Sequence, residues 1–544
     1  MAEISPEDFI NEIKFDIKEN DLIKARAVLS FIGDVDSVTR KKAIFEVIKA
    51  DDDFVVPLLA GVLANTPNLG DAFEILKETL FSRVLDNPTS LLNQLEKEGK
   101  AWDRAFLVGI AGEIRFEESV PVLLKILNRE NDEKAIKASI IALGLIEDPA
   151  ACGPVSEYLY TENMEFVVSA IKALGRIGSP TAVQRLTEKI GADNDLDVLI
   201  LDSLAKIQSS EALERLNETL GSHFAHLRTT GKQKLVEIGP KAVPFLMNNL
   251  LYQDPDLLIH SLNVLGDIGD EAAIPAIRKL LHNEPADPNI RFAAYEALGL
   301  LPIIKGAYTL AAGLEDPVEN VRAAAARAID NNYDTALSAG MKNLIRPGDD
   351  NAKKITITII DAQCDNIFLS LVEEDFFQET ASQYLLKQAH PDITRHYAKL
   401  LTENGKPGLA SELAAGKQTD NGKKAKVFAV DDSKMILNIY RSMLHKLGYE
   451  PLLFEFPAEA LQEAEKEKPN IILTDLNMPA INGIEFTREI RKLYNRNELP
   501  VIMVTTQNDS NDNEAAEKVG VSKIIHKPFT EKQIGDVVAK FVNL

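Results

Sequence analysis

The sequence predicts a protein of two parts, an all-α solenoid followed by an α/β domain with a doubly wound parallel sheet. Two observations support this fold class. A helical unit recurs every 30 to 32 residues in the middle of the chain, and residues 424–544 contain short apolar runs that each end in a polar side chain. At 544 residues the chain is too long for one hydrophobic core, so more than one domain is expected.

The repeated unit ends in a Gly-x-Ile pattern or a close variant of it. The pattern begins at positions 112, 144, 175, 205, 236 and 266, and two looser copies follow at 291–298 and 322–329. Each unit has a first helix, a polar turn with Asp, Asn or Pro, and a second helix rich in Ala and Leu. One such unit cannot bury its apolar face alone, whereas stacked units can, so an α-solenoid is predicted.

The regular repeats span residues 101–330 and resemble HEAT repeats, in particular the short variety also found in phycobilin lyase-like proteins. Residues 1–100 are interpreted as divergent repeats with a cap, and 331–402 as further helices, which gives a HEAT-like solenoid over 1–402. Residues 403–423 are rich in Gly and predict a linker with at most one helical turn at 409–414. The Gly-x-Ile pattern is interpreted as a packing device, not as a phosphate loop.

The charge balance argues against nucleic acid as a partner. The net charge is −23, and residues 424–544 carry 16 basic against 18 acidic side chains, so nearly all of the acidity lies before residue 424. An acidic surface repels phosphate backbones. Cys152 and Cys364 lie in apolar helical contexts and are expected to be buried free thiols. The chain has no signal-peptide pattern and no apolar run of membrane-spanning length, so a cytoplasmic protein is expected.

The apolar runs of residues 424–544 each end in a group that is suited to phosphoryl chemistry. Asp431-Asp432 follows the first run, Asp475 the second, Thr505 the third and Lys527 the fourth. The carboxyl ends of parallel strands form the crevice in which open α/β sheets bind ligands. Singly, each residue is more simply a turn or cap residue; Asp432-Ser433 alone could be a helix N-cap. Together, in this order, they predict a ligand site.

Three neighbouring carboxylates repel one another unless a cation offsets their charge, and Mg²⁺ prefers carboxylates, water and phosphate oxygens. We therefore expect a Mg²⁺ site in which Asp475 is the nucleophile that accepts a phosphoryl group. Lys527 would add a positive charge on the other side. The Thr505 hydroxyl would donate to a phosphoryl oxygen, which exists only after the modification and so can start a conformational switch.

Residues 424–544 resemble the receiver domain of bacterial two-component response regulators. The matching stretches are 427–433, 472–479 with Gly483, Met503-Val-Thr505 and Lys527-Pro-Phe529. The resemblance implies a flavodoxin-like, five-stranded parallel sheet and a cis bond before Pro528. It also implies the roles of the site residues: a phospho-acceptor, Asp475; metal ligands, Asp431, Asp432 and the Asn477 main-chain carbonyl; and phosphoryl contacts, Thr505 and Lys527.

The chain departs from the receiver pattern at one position. Receivers often carry an aromatic residue three positions before the lysine, which swings inward with the threonine, and here that residue is Ile524. Asn477 and Gln507 occupy the two positions that tune acyl-phosphate hydrolysis in receivers. Both are neutral amides, so these two residues do not predict whether the phosphorylated form is long-lived or short-lived.

The expected function is that of a response regulator. A histidine kinase, a phosphotransfer protein or a small phosphodonor would phosphorylate Asp475, and this would change how the solenoid binds an unknown protein partner. The face built by residues 512–519, the last strand and the helix from Glu531 would contact the solenoid or pair with a second receiver as a phosphorylation-dependent dimer. Beyond the receiver's own chemistry no enzymatic activity is expected.

Two alternatives stay open at this point. In the first, the receiver is a phosphate sink on a constitutive scaffold. In the second, the solenoid is an enzyme on a HEAT scaffold, such as a lyase or a base-excision glycosylase. The acidic balance and the lack of an obvious catalytic constellation in residues 1–423 count against the second. His223-x-x-His226 has the spacing of helical metal ligands, but no cysteine or third histidine lies near it in the sequence, so surface or capping roles are favoured.

Overall fold

The computed structural model describes residues 5–66, 69–97, 101–129, 132–303, 307–415, 424–478, 481–505, 510–527 and 529–542. The chain divides into two compact units, residues 1–215 and 216–544. Among the described residues, no helix is both long and apolar enough to cross a membrane.

The first unit is helical throughout its described ranges, apart from turns. Its α-helices are α1 (Pro6–Lys18), α2 (Leu22–Leu29), α3 (Ser37–Ile48), α4 (Asp52–Asn65), α5 (Ala72–Asp86), α6 (Pro88–Glu96), α7 (Ala101–Glu113), α8 (Val120–Arg129), α9 (Glu133–Ile146), α10 (Cys152–Ser156), α11 (Met164–Ile177), α12 (Pro180–Glu188) and α13 (Asn194–Ile207). α14 (Ser210–Glu218) crosses the division between the units.

The Gly-x-Ile pattern marks helix ends and close helix packing. α9, α11 and α13 each end at the isoleucine of the pattern. A Cβ atom on Gly144 would lie 2.6 Å from the Cα of Ala173 in the next repeat, and one on Gly175 would lie 2.7 Å from the Cβ of Ser203. Only glycine permits so close an approach, so the glycines set the spacing between successive repeats.

The second unit continues the repeats and then forms the α/β domain. Its repeat helices are α15 (Ala225–Ile238), α16 (Val243–Asn249), α17 (Pro255–Ile268), α18 (Ile274–His282), α19 (Pro288–Leu300), α20 (Glu319–Asn331), α21 (Thr335–Ile345), α22 (Asp350–Asp361), α23 (Asp365–Leu371), α24 (Asp375–Lys387), α25 (Pro391–Glu403) and α26 (Pro407–Ala415). Polar residues of the preceding turns cap several of these helices; Asp287, for example, accepts from the Asn289 N–H at the start of α19.

α26 occupies part of the segment that the sequence predicts to be a linker. α25 ends before Gly405, which has a φ of +74°, and Pro407 begins the new helix at a position where proline is tolerated. α26 packs against α25 and buries Ala410 and Leu413. Helical structure therefore extends well beyond the single turn that was expected.

The α/β domain contains a parallel sheet of five strands flanked by helices. Its elements are β1 (Lys426–Val430), α27 (Lys434–Lys446), β2 (Glu450–Phe454), α28 (Pro457–Lys466), β3 (Ile471–Asp475), α29 (Gly483–Leu493), β4 (Val501–Thr505), α30 (Ser510–Lys518), β5 (Lys523–His526) and α31 (Glu531–Val542). The strand order is β2-β1-β3-β4-β5, and all four pairings are parallel. The predicted fold class, a helical repeat region followed by a doubly wound sheet, is confirmed.

The strands of this domain read as continuous apolar runs because both faces of the sheet are covered. All five residues of β3 and of β4 are buried. Phe428, Ile472 and Met503 lie on one face of the sheet, and the alternate residues Ala429, Leu473 and Val504 on the opposite face are equally buried. The sheet thus leaves only its strand ends for polar chemistry.

Candidate functional site

The strand ends place the predicted polar residues at one edge of the sheet. Asp431 directly follows β1, Asp475 is the last residue of β3, Thr505 is the last residue of β4, and Lys527 directly follows β5. β1, β3, β4 and β5 are consecutive in the sheet and parallel, so their carboxyl ends adjoin. Asp431 and Thr505 are 1% and 2% exposed.

Lys527 joins two of the carboxylates. Its Nζ atom lies 2.7 Å from Asp431 Oδ2 and 2.8 Å from Asp475 Oδ1. Its main-chain N–H donates to the Thr505 carbonyl at 2.7 Å. The ammonium group therefore lies between the acid of the first strand and the acid of the central strand, and the backbone of the same residue is tied to β4.

Burial sets the charge state of this pocket. It raises the pKa of Asp431 to about 6, although Lys527 acts in the opposite direction. Asp432 keeps some contact with solvent, yet the surrounding protein and the charges of Asp475 and Asp431 raise its pKa to about 7. Burial alone would lower the pKa of Lys527, but the two carboxylates outweigh it and hold that pKa well above its usual value. The pocket thus has an excess of acids that one lysine does not fully neutralise.

The loop after β3 fixes the orientation of Asp475. The Asn477 N–H donates to Asp475 Oδ2 at 2.8 Å, which leaves Oδ1 for Lys527. Gly483 closes the loop: its N–H donates to the Leu476 carbonyl, and a Cβ atom there would lie 2.2 Å from the Asp475 carbonyl oxygen. A glycine is therefore required where α29 begins beside the acceptor strand.

The donor set fits a hard cation such as Mg²⁺. Three carboxylates and a main-chain carbonyl at one desolvated edge are the ligands that this ion prefers, with water completing its shell. In the described part of the chain, no three acidic, histidine or cysteine side chains already surround one cation position. Instead, Lys527 neutralises Asp431 and Asp475 directly, so a bound cation would have to displace part of that ion pairing.

Two residues of the repeat region reach this edge, and neither is predicted by the sequence pattern. The Asn289 side chain donates from Nδ2 to the Lys527 carbonyl, and Glu296 Oε1 accepts from Ser433 Oγ at 3.2 Å. Burial raises the pKa of Glu296 to about 8, against the opposing charge of Lys527. Both residues belong to α19, whose sequence is that of an ordinary repeat helix, and no local pattern separates them from other polar helix residues.

Lys232 on α15 is a further cation near the site. Burial and the charge of Arg228 together lower its pKa to about 8, against the charges of Asp475 and Asp432, which raise it. The charge of Lys232 therefore interacts with the acids of the acceptor edge.

The contact between the repeats and the α/β domain involves α27 and two strand ends. α27 packs against α20 and α22, and the residues after β1 and β5 contact α19. That the face of α30, β5 and α31 contacts the solenoid or pairs with a second receiver stays a prediction. Lys446 of α27 lies 3.2 Å from Asp361, whose two carboxylate oxygens accept from the Tyr384 hydroxyl.

Several expectations concern residues at the margins of the site. Ile524 is partly buried beside Met503, Ala516 and Val521, so a branched aliphatic side chain fills the place of the usual aromatic. Pro528, with its predicted cis bond, and Gln507 lie outside the described residues. Cys152 and Cys364 are buried free thiols, as expected.

Comparisons with known proteins agree with both parts of the chain. The family of response regulator receiver domains matches residues 427–539, and that of HEAT repeats matches residues 120–201 and 243–330. The chemotaxis protein CheY1 of Helicobacter pylori is 36% identical over 107 residues, which cover 19% of this chain and 86% of CheY1. Protein PilH of Pseudomonas aeruginosa is 32% identical over 110 residues, which cover 20% of this chain and 91% of PilH.

One solved structure with a similar domain contains a metal ion. It is the receiver domain of the sensor histidine kinase PA1611 from Pseudomonas aeruginosa, with magnesium coordinated in its active-site cleft. It is 25% identical and covers 22% of this chain and 100% of its own, with a TM-score of 0.22. Receiver domains as a family interact with histidine kinases or phosphotransfer proteins in two-component signalling. Through residues 427–539 the chain belongs to the response regulator receiver family, and HEAT repeats precede that domain.

Proposed function

We propose that the chain is a response regulator in which phosphorylation of Asp475 controls the protein interactions of the HEAT repeats. One observation carries this proposal: Asp475 ends the central strand β3, and both Asp475 and Asp431 lie within ion-pair distance of the Lys527 ammonium group. An acceptor carboxylate, a second acid and a cation at one buried edge are the parts that phosphoryl transfer to aspartate needs.

The chemistry follows from the positions of the side chains. Asp475 forms an O–P bond as the N–P bond of a phosphohistidine breaks, and the imidazole leaves with the bonding electrons and takes up a proton. The Asn477 N–H holds the carboxylate in a fixed orientation, and Lys527 offsets the charge that collects on the phosphoryl oxygens. Mg²⁺ would be held by Asp431, Asp432, Asp475 and the Asn477 carbonyl. When bound, it would neutralise charge on those phosphoryl oxygens.

The change that follows phosphorylation starts at two residues. The Thr505 hydroxyl would donate to the new phosphoryl group, and the Lys527 ammonium would shift from Asp431 towards the phosphoryl oxygens. The Lys527 main-chain carbonyl accepts from Asn289 of the repeats. A shift of Lys527 would therefore reach the repeat region through one hydrogen bond.

Labelling of the acceptor tests the assignment. The full chain is incubated with acetyl phosphate and Mg²⁺, and the intact mass is measured for the wild type, Asp475→Asn and Asp536→Asn. Asp536 is an exposed acid on α31 and serves as the matched control. We expect one phosphoryl group on the wild type and on the control, labile to both acid and base as an acyl phosphate is, and none on Asp475→Asn. Persistent labelling of Asp475→Asn would show that another residue is the acceptor.

Binding of protein partners distinguishes the switch from a phosphate sink. The chain is immobilised and exposed to cell extract with Mg²⁺, with and without beryllofluoride, which mimics the phosphoryl group on aspartate. A partner retained in one state only would support control of the repeats by the receiver. The same partners in both states would support a phosphate sink on a constitutive scaffold.

A further inference from the structure

α19 of the repeat region spans the opening of the acceptor site. Asn289 and Glu296 are seven residues apart, about two helical turns, so they lie on one face of the helix. Asn289 bonds the loop after β5 through the Lys527 carbonyl, and Glu296 bonds the loop after β1 through Ser433. The two loops come from strands on either side of β3, so the helix bridges across Asp475.

A cavity of about 360 Å³ lies beside α19 and touches the receiver at Asp432 and Ser433. On the repeat side it is lined by Asp267, Glu296 and Arg327, among others. Acetyl phosphate is small, whereas a protein phosphodonor must place a histidine against Asp475 and bury several hundred Å² of surface around it. α19 occupies the surface that such a donor needs.

A second contact holds the receiver against the repeats away from the acceptor. Lys446, at the far end of α27 from Ser433, pairs with Asp361 of α22 at 3.2 Å. Asp361 also accepts from Tyr384, whose ring lies 5.5 Å from the Lys446 ammonium. Asp361 is 10% exposed and Lys446 26% exposed as side chains, so the pair is largely shielded from solvent. Contacts at both ends of α27 therefore fix the docked arrangement.

The charges at the opening decide how phosphorylation acts on this arrangement. A phosphoryl group on Asp475 adds negative charge beside Asp431 and Asp432, and Asp432 adjoins Ser433, which donates to Glu296. The added group therefore perturbs the loop after β1, to which α19 is bonded. Movement of the Lys527 ammonium towards the phosphoryl group also disturbs the residue whose carbonyl accepts from Asn289. The charge of Lys232 acts in the other direction, since it favours negative charge on Asp475 and Asp432.

We propose that α19 is a built-in cap on the acceptor site, which competes with a protein phosphodonor for this edge of the receiver and is released when Asp475 is phosphorylated. The cap rests on the proposed function, because it acts on phosphorylation of Asp475. The cap extends the proposed function by naming what the unphosphorylated receiver binds. Its partner is the face of α19 that carries Asn289 and Glu296.

Hydrogen exchange on the full chain tests the cap. Exchange of peptides from 288–300 and 434–446 is followed by mass spectrometry with Mg²⁺, with and without beryllofluoride. In the wild type we expect beryllofluoride to speed exchange in both segments by about fivefold, which corresponds to about 1 kcal/mol. In Asp475→Asn, beryllofluoride should have no effect. Glu296→Ala, which removes the acceptor of the Ser433 hydroxyl, and, independently, Lys446→Gln should exchange faster without beryllofluoride, whereas Glu271→Ala, at an exposed repeat residue, should match the wild type.

The outcomes separate the cap from the acceptor assignment. If acetyl phosphate labels Asp475 but the exchange of both segments is unchanged by beryllofluoride, the cap is wrong and the acceptor stands. Slower exchange with beryllofluoride would also overturn release, and would identify Lys232 as a phosphoryl contact that tightens docking. If Asp475 is not labelled at all, the proposed function itself fails.

Discussion

Lys527 is the residue on which the charge balance of the acceptor edge depends. It is 11% exposed as a side chain and pairs with two buried acids. Replacing it by methionine keeps the length of the side chain and removes the charge. Preorganised charge at a developing phosphoryl group contributes a factor of about 100 to 1000 in rate, so Lys527→Met should slow labelling by acetyl phosphate by about 100-fold.

The control for this variant lies on the same strand. Lys523 is exposed at the start of β5, and Lys523→Met should label at the wild-type rate. Thermal melts of both variants show whether the fold is retained, since removing one partner of a buried ion pair is destabilising. Equal labelling rates for Lys527→Met and the wild type would mean that the lysine only balances charge in the resting state.

His390 is a second residue with a testable charge state. It is 15% exposed as a side chain, and its ring lies 4.6 Å from that of His445. Burial, together with the charges of His445, Arg441 and Lys424, lowers its pKa to about 4, against the charge of Asp392, which raises it. Because the folded state holds this histidine neutral, the stabilisation is complete above pH 6.5 and is lost as the pH falls towards 4.

We therefore expect a difference in acid sensitivity between the wild type and His390→Asn. Asparagine retains an acceptor for the Asp392 N–H at the start of α25 and does not titrate. Between pH 7 and pH 5 the wild type should lose about 1–2 kcal/mol more unfolding free energy than the variant. Chemical denaturation at the two pH values measures this, and equal losses would show that His390 is free to take up a proton in the folded chain.

The residues that sequence could and could not locate differ in one physical respect. Asp431, Asp475, Thr505 and Lys527 each end an apolar strand, so periodicity alone places them at one edge. Their chemical roles stay predictions. Glu296 and its receiver contact Ser433 are 137 positions apart, and their meeting depends on how two folded regions pack. The local sequence around a half-buried glutamate on a repeat helix does not predict such a contact.

At the scale of single elements, the glycines of the repeats make the sharpest prediction. A Cβ atom at Gly144 would lie 2.6 Å from the backbone of Ala173, whereas one at Gly109, in the helix one repeat earlier, would meet nothing within 4 Å. Alanine raises the helix propensity by a similar amount at both positions. The difference between the two changes in unfolding free energy therefore reports the steric clash at Gly144. Gly144→Ala should destabilise by about 1–3 kcal/mol, and Gly109→Ala should be neutral or stabilising by up to about 1 kcal/mol.

Chemical denaturation of the full chain measures both variants. The helix α7 that carries Gly109 and the helix α9 that carries Gly144 are both second helices of their repeats. If the two substitutions have the same effect, the glycines do not set the repeat spacing and their recurrence has another cause.

α26 shows why the extent of a helix can be underestimated when the Gly and Pro content of a segment is given more weight than the spacing of its apolar residues. Gly405, Pro407 and Gly408 suggest a linker by composition alone. Yet Pro407 begins a helix, and Ala410 and Leu413 bury against α25. Proline at the first position and two apolar residues three apart were the relevant signals, and they outweigh a glycine at the second helical position.

At the scale of the whole molecule, docking and phosphorylation must affect each other equally. If a phosphoryl group at Asp475 weakens the contact between α27 and the repeats, then weakening that contact by mutation must raise the affinity of the acceptor site for a phosphoryl mimic by the same factor. Lys446 suits this test because it pairs with Asp361 at the end of α27 remote from Ser433. A substitution there leaves the acceptor carboxylates and Lys527 unchanged.

We expect Lys446→Gln to bind beryllofluoride, at fixed Mg²⁺, with about two- to fivefold higher affinity than the wild type, the range that about 0.4–1 kcal/mol of lost docking energy gives. Fluorine NMR of the bound mimic reports the affinity without an optical probe; Trp102, the one tryptophan, belongs to the first unit. Lys492→Gln removes an exposed lysine that pairs with Glu489 within α29, and it should leave the affinity unchanged. Equal affinities for Lys446→Gln and the wild type would mean that the receiver is phosphorylated without regard to the repeats, because a contact that both states share cannot transmit the signal.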